Sequence, residues 1–207
     1  MEAFLAACDI IDWRAPSIRN QAAQLRGALE DDFSIARACF LFVRDEIKHS
    51  ADYQLNPVTC KASEVLLHGT GYCYAKAHLL AALLRACGIP AGLCYQRLTI
   101  DNDRPPFCLH GLNAVYLADY GWYRIDARGN KLNVAAEFSP PIEKLAFPIV
   151  TEGETDIPGI WAQPLDAVVS TLNRFQTFSD VADNLPDIGA GEINAMANLS
   201  NAVAQLN

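Results

Sequence analysis

The sequence predicts an α+β fold in which helices come first and an antiparallel sheet follows. Three observations predict it. Residues 71–90 read as a loop ending in Cys73, a buried helix and a stop. From Ala91 onward the apolar spacing changes from three-and-four to two, the change from helix to strand. Ala118-Asp119-Tyr120-Gly121 then separates two alternating runs as a hairpin turn does. Helices grouped before strands point to α+β rather than to alternating βαβ units.

Each element has its own signals. Residues 1–16 read as irregular and end at Pro16. Ser17 can cap a helix over about 18–29, with Ile18, Ala22, Leu25 and Leu29 on one stripe. Asp31, Asp32 or Ser34 can cap a second helix to about Lys48. Its core face is Ala36, Phe40, Val43 and Ile47, widened by Cys39 and Phe42. Residues 49–62 read as a loop, and Ser63-Glu64 can start one turn before Gly69. His68-Gly69-Thr70-Gly71 is a breaker cluster, so the central helix starts at or just before Cys73. Alanine and leucine fill that helix. Gly88 suits the residue just past its end, and Pro90 stops it. Residues 91–98 alternate as a strand, Leu93, Tyr95 and Arg97 opposite Cys94, Gln96 and Leu98. Strands at 110–117 and 122–126 follow. Beyond 130 the chain is punctuated by proline up to Trp161. Pro164 is placed for the first turn of a helix through about Phe175, with Leu165, Val168, Val169 and Leu172 apolar. The Ala/Asn-rich tail from Gly189 suggests a weak helix.

The bulk numbers exclude several classes of function. The 207 residues suit one domain with a proper core. The net charge of −8 argues against nucleic acid and against acidic membranes. No run of 18 apolar residues is present, so no membrane span is expected. The first residues lack the basic region of a signal peptide. Seven cysteines without paired spacing argue against a disulfide scaffold, so a reducing cytoplasm is expected. No Cys-x-x-Cys occurs, and no metal or other cofactor is expected.

The chemistry centres on Cys73. A cysteine at a helix N-terminus lies where unpaired N–H groups and the helix dipole favour an anion, which lowers a thiol pKa. The competing reading is a small buried hydrophobe, as most free cysteines are. A nucleophilic cysteine needs a base, and the base an orienting partner. Four histidines are available. His78 lies about 140° round the helix from Cys73 and points away. Nothing fixes His68. His49 reads as a solvated cap at a helix end. His110 begins a strand just after a loop, and Asp126 ends the neighbouring strand. The hairpin register decides whether they meet. An even loop pairs Leu117 with Trp122 and sets Asn113 opposite Asp126, which puts His110 on the other face. A three-residue loop or a bulge near 117–122 shifts the pairing by one, sets Leu112 opposite Asp126 and makes His110 a diagonal neighbour. An odd loop or a bulge is therefore expected.

Gly71-Tyr72-Cys73, the helix ending Leu84-Arg85-Ala86-Cys87-Gly88-Ile89-Pro90-Ala91, then His110, then Trp122-Tyr123-Arg124-Ile125-Asp126-Ala127 together resemble the transglutaminase-like superfamily of cysteine enzymes. The resemblance covers about residues 60–130. It implies a papain-like α+β core at about 30–130 within a single domain of 1–207, with 131–207 as a C-terminal extension. It implies Cys73 as nucleophile, His110 as base and Asp126 as orienter. Two positions depart from the family pattern. Leu112 stands where a tryptophan is often found two residues after the histidine, and Ala127-Arg128-Gly129 replaces the proline or threonine that often follows the aspartate. Both lie where an acyl substrate would bind, so they bear on its class. Nothing resembles the additional domains of calcium-dependent animal enzymes, and no calcium dependence is expected.

The activity expected is covalent acyl transfer or hydrolysis on an amide, of peptidase, amidase or transglutaminase type, through a thioester acyl-enzyme. The Cys73 N–H is a natural oxyanion donor, with Tyr53, Gln54 or Trp122 as a second. Tyr72 reads as a wall of the site. Arg128 and Asn130 could take a substrate carboxylate or amide, or be a solvated surface pair. The expected partner is a peptide, protein or small amide substrate, and the sequence is silent on oligomeric state. A non-catalytic module binding a peptide or protein in the same cleft is the alternative, which predicts Cys73 buried or misaligned with no His110 in reach. Thiol redox sensing with Cys94 or Cys108 is a third reading.

Overall fold

The computed structural model describes residues 1–100, 104–189 and 191–196. Helix α1 (Pro16–Arg26) begins at Pro16 itself, with Ala15 as its cap. The fixed proline φ suits the first helical position, so Ser17 falls inside the helix. Gly27 ends it before Leu29, which is left exposed. Helix α2 (Asp32–Leu41) is capped by Asp31, whose carboxylate accepts from Ser34 N at 2.7 Å. It runs into a π-helical turn, Phe42–Glu46. The face Ala36, Phe40, Val43 and Ile47 is buried, as its spacing predicts.

Residues 48–62 are not a plain loop. Strand β1 (Lys48–His49) pairs in parallel with β2 (Thr70–Gly71), His49 opposite Gly71. Helices α3 (Ser50–Tyr53) and α4 (Ala62–His68) lie between them. Two-residue strands and a one-turn helix carry no periodicity to read. The central helix α5 (Cys73–Ala86) is buried from Cys73 to Arg85. Arg85 is held by the carbonyls of Ala6, Ala91 and Ala162, so a buried guanidinium ties the helix to three distant segments.

Strands β3 (Ala91–Thr99), β4 (Phe107–Leu117), β5 (Gly121–Ile125) and β6 (Thr155–Trp161) form one antiparallel sheet in the order β5-β4-β3-β6. The edge strand β6 was not legible: Pro158 and Gly159 interrupt any alternation there, and the pairing with β3 carries an irregularity between Leu93 and Tyr95. Leu93, Tyr95, Leu109, Val115, Leu117, Tyr123 and Ile125 belong to the main core with α5. The opposite face carries Cys94, Leu112 and Ala114 under Trp122, Leu145 and Ile160. Leu145, from the segment after β5, thus packs on the second face of the sheet beside Trp122 of β5 and Ile160 of β6. Helix α6 (Asp166–Arg174) and helix α7 (Phe178–Ala182) follow, and Val168, Leu172, Val181 and Ile188 join the main core. Pro164 stands two residues ahead of α6 rather than in its first turn. Residues 191–196 are helical, and the rest of the expected tail helix lies outside the described residues. No helix among the described residues is long and apolar enough to cross a membrane.

Candidate active site

The hairpin β4–β5 pairs Leu117 with Gly121 and Asn113 with Ile125. Its loop is the three residues 118–120, the odd loop that the register argument requires. The next step of that register sets Leu112 opposite Asp126, and His110 becomes its diagonal neighbour. His110 Nε2 lies 2.7 Å from Asp126 Oδ2. Beyond Ile125 the β5 side of β4 pairs with no further strand among the described residues, and Cys73 reaches that edge from α5. Gly111 N–H donates to Cys73 Sγ at 3.5 Å. Gly111 permits the approach, because a Cβ there would lie 3.0 Å from Tyr74 Cα. With Nε2 taken by Asp126, Nδ1 is the ring nitrogen left for Cys73, whose neighbourhood is felt in the raised His110 pKa. Cysteine, histidine and aspartate are therefore in series around the end of one strand.

The electrostatics of this series are those of an ion pair. Asp126 is fully buried. It accepts from His110, from Arg128 N at 3.1 Å and from Ala146 N at 3.1 Å. Burial alone would raise its pKa, but the His110 charge and these donors hold it below the ordinary carboxylate range. Burial alone would lower the His110 pKa, yet the Asp126 carboxylate and Cys73 raise it to about 10. A histidine held that high is an imidazolium at neutral pH. Phe147 packs edge-on against its ring, with centroids 5.0 Å apart, and shields it from solvent. Tyr72, the residue before Cys73, gives α5 no side-chain cap. The first amide to close an intrahelical bond is Lys76 N, to Tyr72 O, so the N–H groups ahead of it stay available.

The remaining candidates are distributed differently. Tyr72 is in the site wall, its ring edge-on to His49 at 5.5 Å and its hydroxyl donating to Phe178 O. Tyr53 is exposed beneath Lys48, and Gln54 is the exposed left-handed cap of α3. Trp122 stands at the hairpin end of β5 against Phe4 and Tyr116, at 4.7 and 5.7 Å. The structure does not bring these three to Cys73. Arg128 is neither solvated nor free for substrate: its guanidinium grips Asp52 at 2.6 and 3.0 Å. Asn130 is engaged with Ala136. Cys94 turns to Gly159 O on the far face of the sheet, and all seven cysteines are free thiols.

Two residues near the site were missed. His49 is buried, not a solvated cap, and burial together with Arg128 pushes its pKa well down. Its Nδ1 is 3.8 Å from Asp52 Oδ2 and has no hydrogen-bond partner among the described residues. Only the pairing of β1 with β2 places it beside Gly71 and Tyr72, and that pairing left no pattern in the sequence. Lys76 is buried with its ammonium on the carbonyls of Ile47 and Arg44. A lysine three residues after Cys73 in a helix that is mostly alanine and leucine was a readable signal. His49, Asp52, Lys76 and Arg128 line one cavity of about 300 Å³ with Arg44, Lys48 and Lys131. No group of three or more metal-ligating side chains occurs among the described residues.

The profile of the transglutaminase-like superfamily matches residues 19–127, just over half of the chain. No curated protein matches the sequence. Among solved structures, a candidate cysteine protease from Cytophaga hutchinsonii is 22% identical over 60% of this chain and 40% of its own, with a TM-score of 0.49. The periplasmic domain of TgpA from Pseudomonas aeruginosa is 22% identical over 54% of this chain and 42% of its own, with a TM-score of 0.43. The chain spans less than half the length of either.

Proposed function

Since this chain belongs to the transglutaminase-like superfamily, and since one imidazole joins Cys73 to Asp126, we propose that it is a cysteine enzyme cleaving or transferring acyl groups from amides. The observation that carries this reading is the placement of His110, with Asp126 at 2.7 Å on Nε2 and Cys73 Sγ on the N–H of the next residue, Gly111, at 3.5 Å. The inactive binding module predicts Cys73 buried or misaligned with no His110 in reach; Cys73 is buried, but the placement of His110 one residue from the Gly111 N–H on Cys73 Sγ favours the enzyme.

His110 holds Cys73 as a thiolate. The sulfur attacks the amide carbonyl and a C–S bond forms, with the oxyanion at the free N–H groups at the start of α5. His110 Nδ1 gives its proton to the leaving nitrogen as the C–N bond breaks, leaving a thioester. Neutral His110 then takes a proton from water or an amine, which attacks the thioester and releases Cys73. Asp126 stays ionised throughout and fixes the ring. His49, buried beside Tyr72, is better placed than Tyr53, Gln54 or Trp122 to supply a second oxyanion donor. The substrate is a peptide or other amide. Seven free thiols fit a reducing cytoplasm.

The test is the rate of iodoacetamide alkylation of Cys73 against pH in wild type and His110→Ala, with the site located by mass spectrometry. The expected outcome is rapid alkylation well below pH 8.5 that slows and moves upward in the variant. Alkylation at an ordinary thiol's rate, unchanged by the substitution, would overturn the proposal.

A further inference from the structure

The C-terminal extension does more than pack on the far face of the sheet. Residues 178–188 pass along the cleft beside the proposed nucleophile and base. Phe178 O accepts from the Tyr72 hydroxyl at 2.5 Å, and Phe178 N–H donates to Asn56 Oδ1 at 2.7 Å. Pro186 O accepts from Leu109 N–H at 2.7 Å. Tyr72 precedes the cysteine and Leu109 precedes the histidine. Leu109 N–H lies on the free edge of β4, two residues from the Gly111 N–H that touches Cys73 Sγ. Cys73 is left 7% exposed and His110 4%.

The chemistry of these contacts matters. Its polar contacts with Tyr72, Asn56 and Leu109 are all made by main-chain groups, one N–H and two carbonyls. Its sequence-specific anchors lie to the side, in the bidentate pair of Asp187 with Arg97 at 2.7 Å and in buried Val181 and Ile188. A groove that recognises main chain through the Leu109 N–H, the Tyr72 hydroxyl and the Asn56 carboxamide, rather than through side-chain pockets, accepts an extended peptide of varied sequence. We propose that this groove is a subsite for an extended peptide and that residues 178–188 fill it as an internal surrogate. A peptide then reaches Cys73 only when this strap lifts. The inference deepens the proposed function and rests on Cys73 being its nucleophile.

Asp187→Lys sets like charge against Arg97 and loosens the strap without touching Cys73, His110 or Asp126. Wild type and variant, both full chain, are compared in amide exchange and in labelling of Cys73 by iodoacetamide and by a maleimide carried on a peptide of roughly ten residues. A synthetic peptide of residues 176–189 is then added to each. Opening a charge-assisted pair raises the population of the lifted state, so the peptide-borne reagent is expected to label Cys73 about tenfold faster in the variant. Exchange at 178–188 and at the Leu109 amide is expected to rise with it, and the synthetic peptide to restore protection of Leu109. Equal labelling by the peptide-borne reagent in both chains, with exchange at 178–188 raised in the variant, overturns the proposal. So does failure of the synthetic peptide to protect Leu109 in the loosened form. Protection of Leu109 with Cys73 inert to both reagents supports the groove and sinks the nucleophile instead. If Asp187→Lys does not fold, Asn56→Ala weakens the strap from the opposite wall and is read by the same measures.

Discussion

Two cation-forming side chains flank Asp126, both buried, and the fold treats them in opposite ways. His110 has a carboxylate at 2.7 Å and its pKa rises to about 10 in spite of burial. Lys76 has only carbonyl oxygens as ligands. Burial and the nearby Arg128 lower its pKa to about 7, although Asp126, Asp45 and Asp52 pull the other way. Burial opposes charge at both positions. The difference is direct contact. A carboxylate in hydrogen-bonding contact offsets desolvation, and carboxylates without that contact do not. In the proposed mechanism one of these groups must stay charged to hold a thiolate. The other is a buried lysine poised near neutrality at the floor of a cavity.

The strongest way to break this contrast is Asp126→Asn, which keeps the shape and removes the charge. With no carboxylate, burial is opposed at His110 by Cys73 alone. The His110 titration, followed by NMR, is expected to fall well below about 10, with Cys73 as the one raising neighbour left. Breaking one member of a buried ion pair costs about 3–5 kcal/mol of folding stability. Urea denaturation at pH 7 measures it. A His110 pKa that stays near 10 in the variant would show that Asp126 is not what holds the charge.

Gly111→Ala acts on the approach of Cys73 to His110 and leaves the Asp126 carboxylate in place. The new Cβ meets the Tyr74 backbone at 3.0 Å, so the start of α5 must move off the strand edge. Overpacking of this kind costs about 1–3 kcal/mol. Alkylation of Cys73 at pH 7 is expected to slow, because the sulfur leaves the imidazolium. Lys76 lies on the same first turns of α5 and its carbonyl ligands do not, so its titration reports how far the displacement travels along the helix. A shift in both would mean the two centres move as one unit.

Part of this contrast was legible in the sequence. Cys73, His110 and Asp126 carried it, because a helix start, a strand start and a strand end can be located from local pattern and one parity argument orders them. The three-residue loop at 118–120 followed from that argument. His49 was not legible, because its position depends on a two-residue parallel pairing with no period. Nor was the clamp of Arg128 on Asp52, whose members are 76 residues apart. Trp122 was a candidate donor because it stands near Asp126 in sequence, but the strand carries it to the other end of the hairpin. Contacts fixed by local geometry were readable, and those fixed by tertiary approach were not.

A pH series sharpens the comparison further. His110 binds its proton more tightly when folded. Its contribution to stability is fully present below pH 6.5 and is lost as pH rises to about 10. Lys76 binds its proton more tightly when unfolded. Its cost is full below pH 7 and is relieved as pH rises to 10.5. Between pH 7 and 10 the two slopes oppose, each about 1.4 kcal/mol per pH unit at most. Lys76→Met removes one of them, so the variant should lose stability with rising pH more steeply than wild type across this window. The difference between the two curves isolates Lys76, because the cysteines common to both chains cancel. Parallel curves would mean that Lys76 titrates at the ordinary lysine value.

The smallest expected effect is at Asp52, which joins the two centres through Arg128. Burial alone would raise the Asp52 pKa, but Arg128 and Lys131 lower it to about 2. Arg128 is buried, and its backbone N–H also steadies Asp126. Lys131 is half-exposed and contacts Asp52 at 2.7 Å from the rim. If the buried member does the positioning, Lys131→Ala removes only a rim ion pair, worth about 0.2–1 kcal/mol in urea denaturation. Alkylation of Cys73 should keep its wild-type rate, because Arg128 still holds Asp52 with two hydrogen bonds and still donates to Asp126. A slowed alkylation in Lys131→Ala would show instead that the rim charge acts through Asp52 on the site, and the two centres could no longer be treated as electrostatically separate.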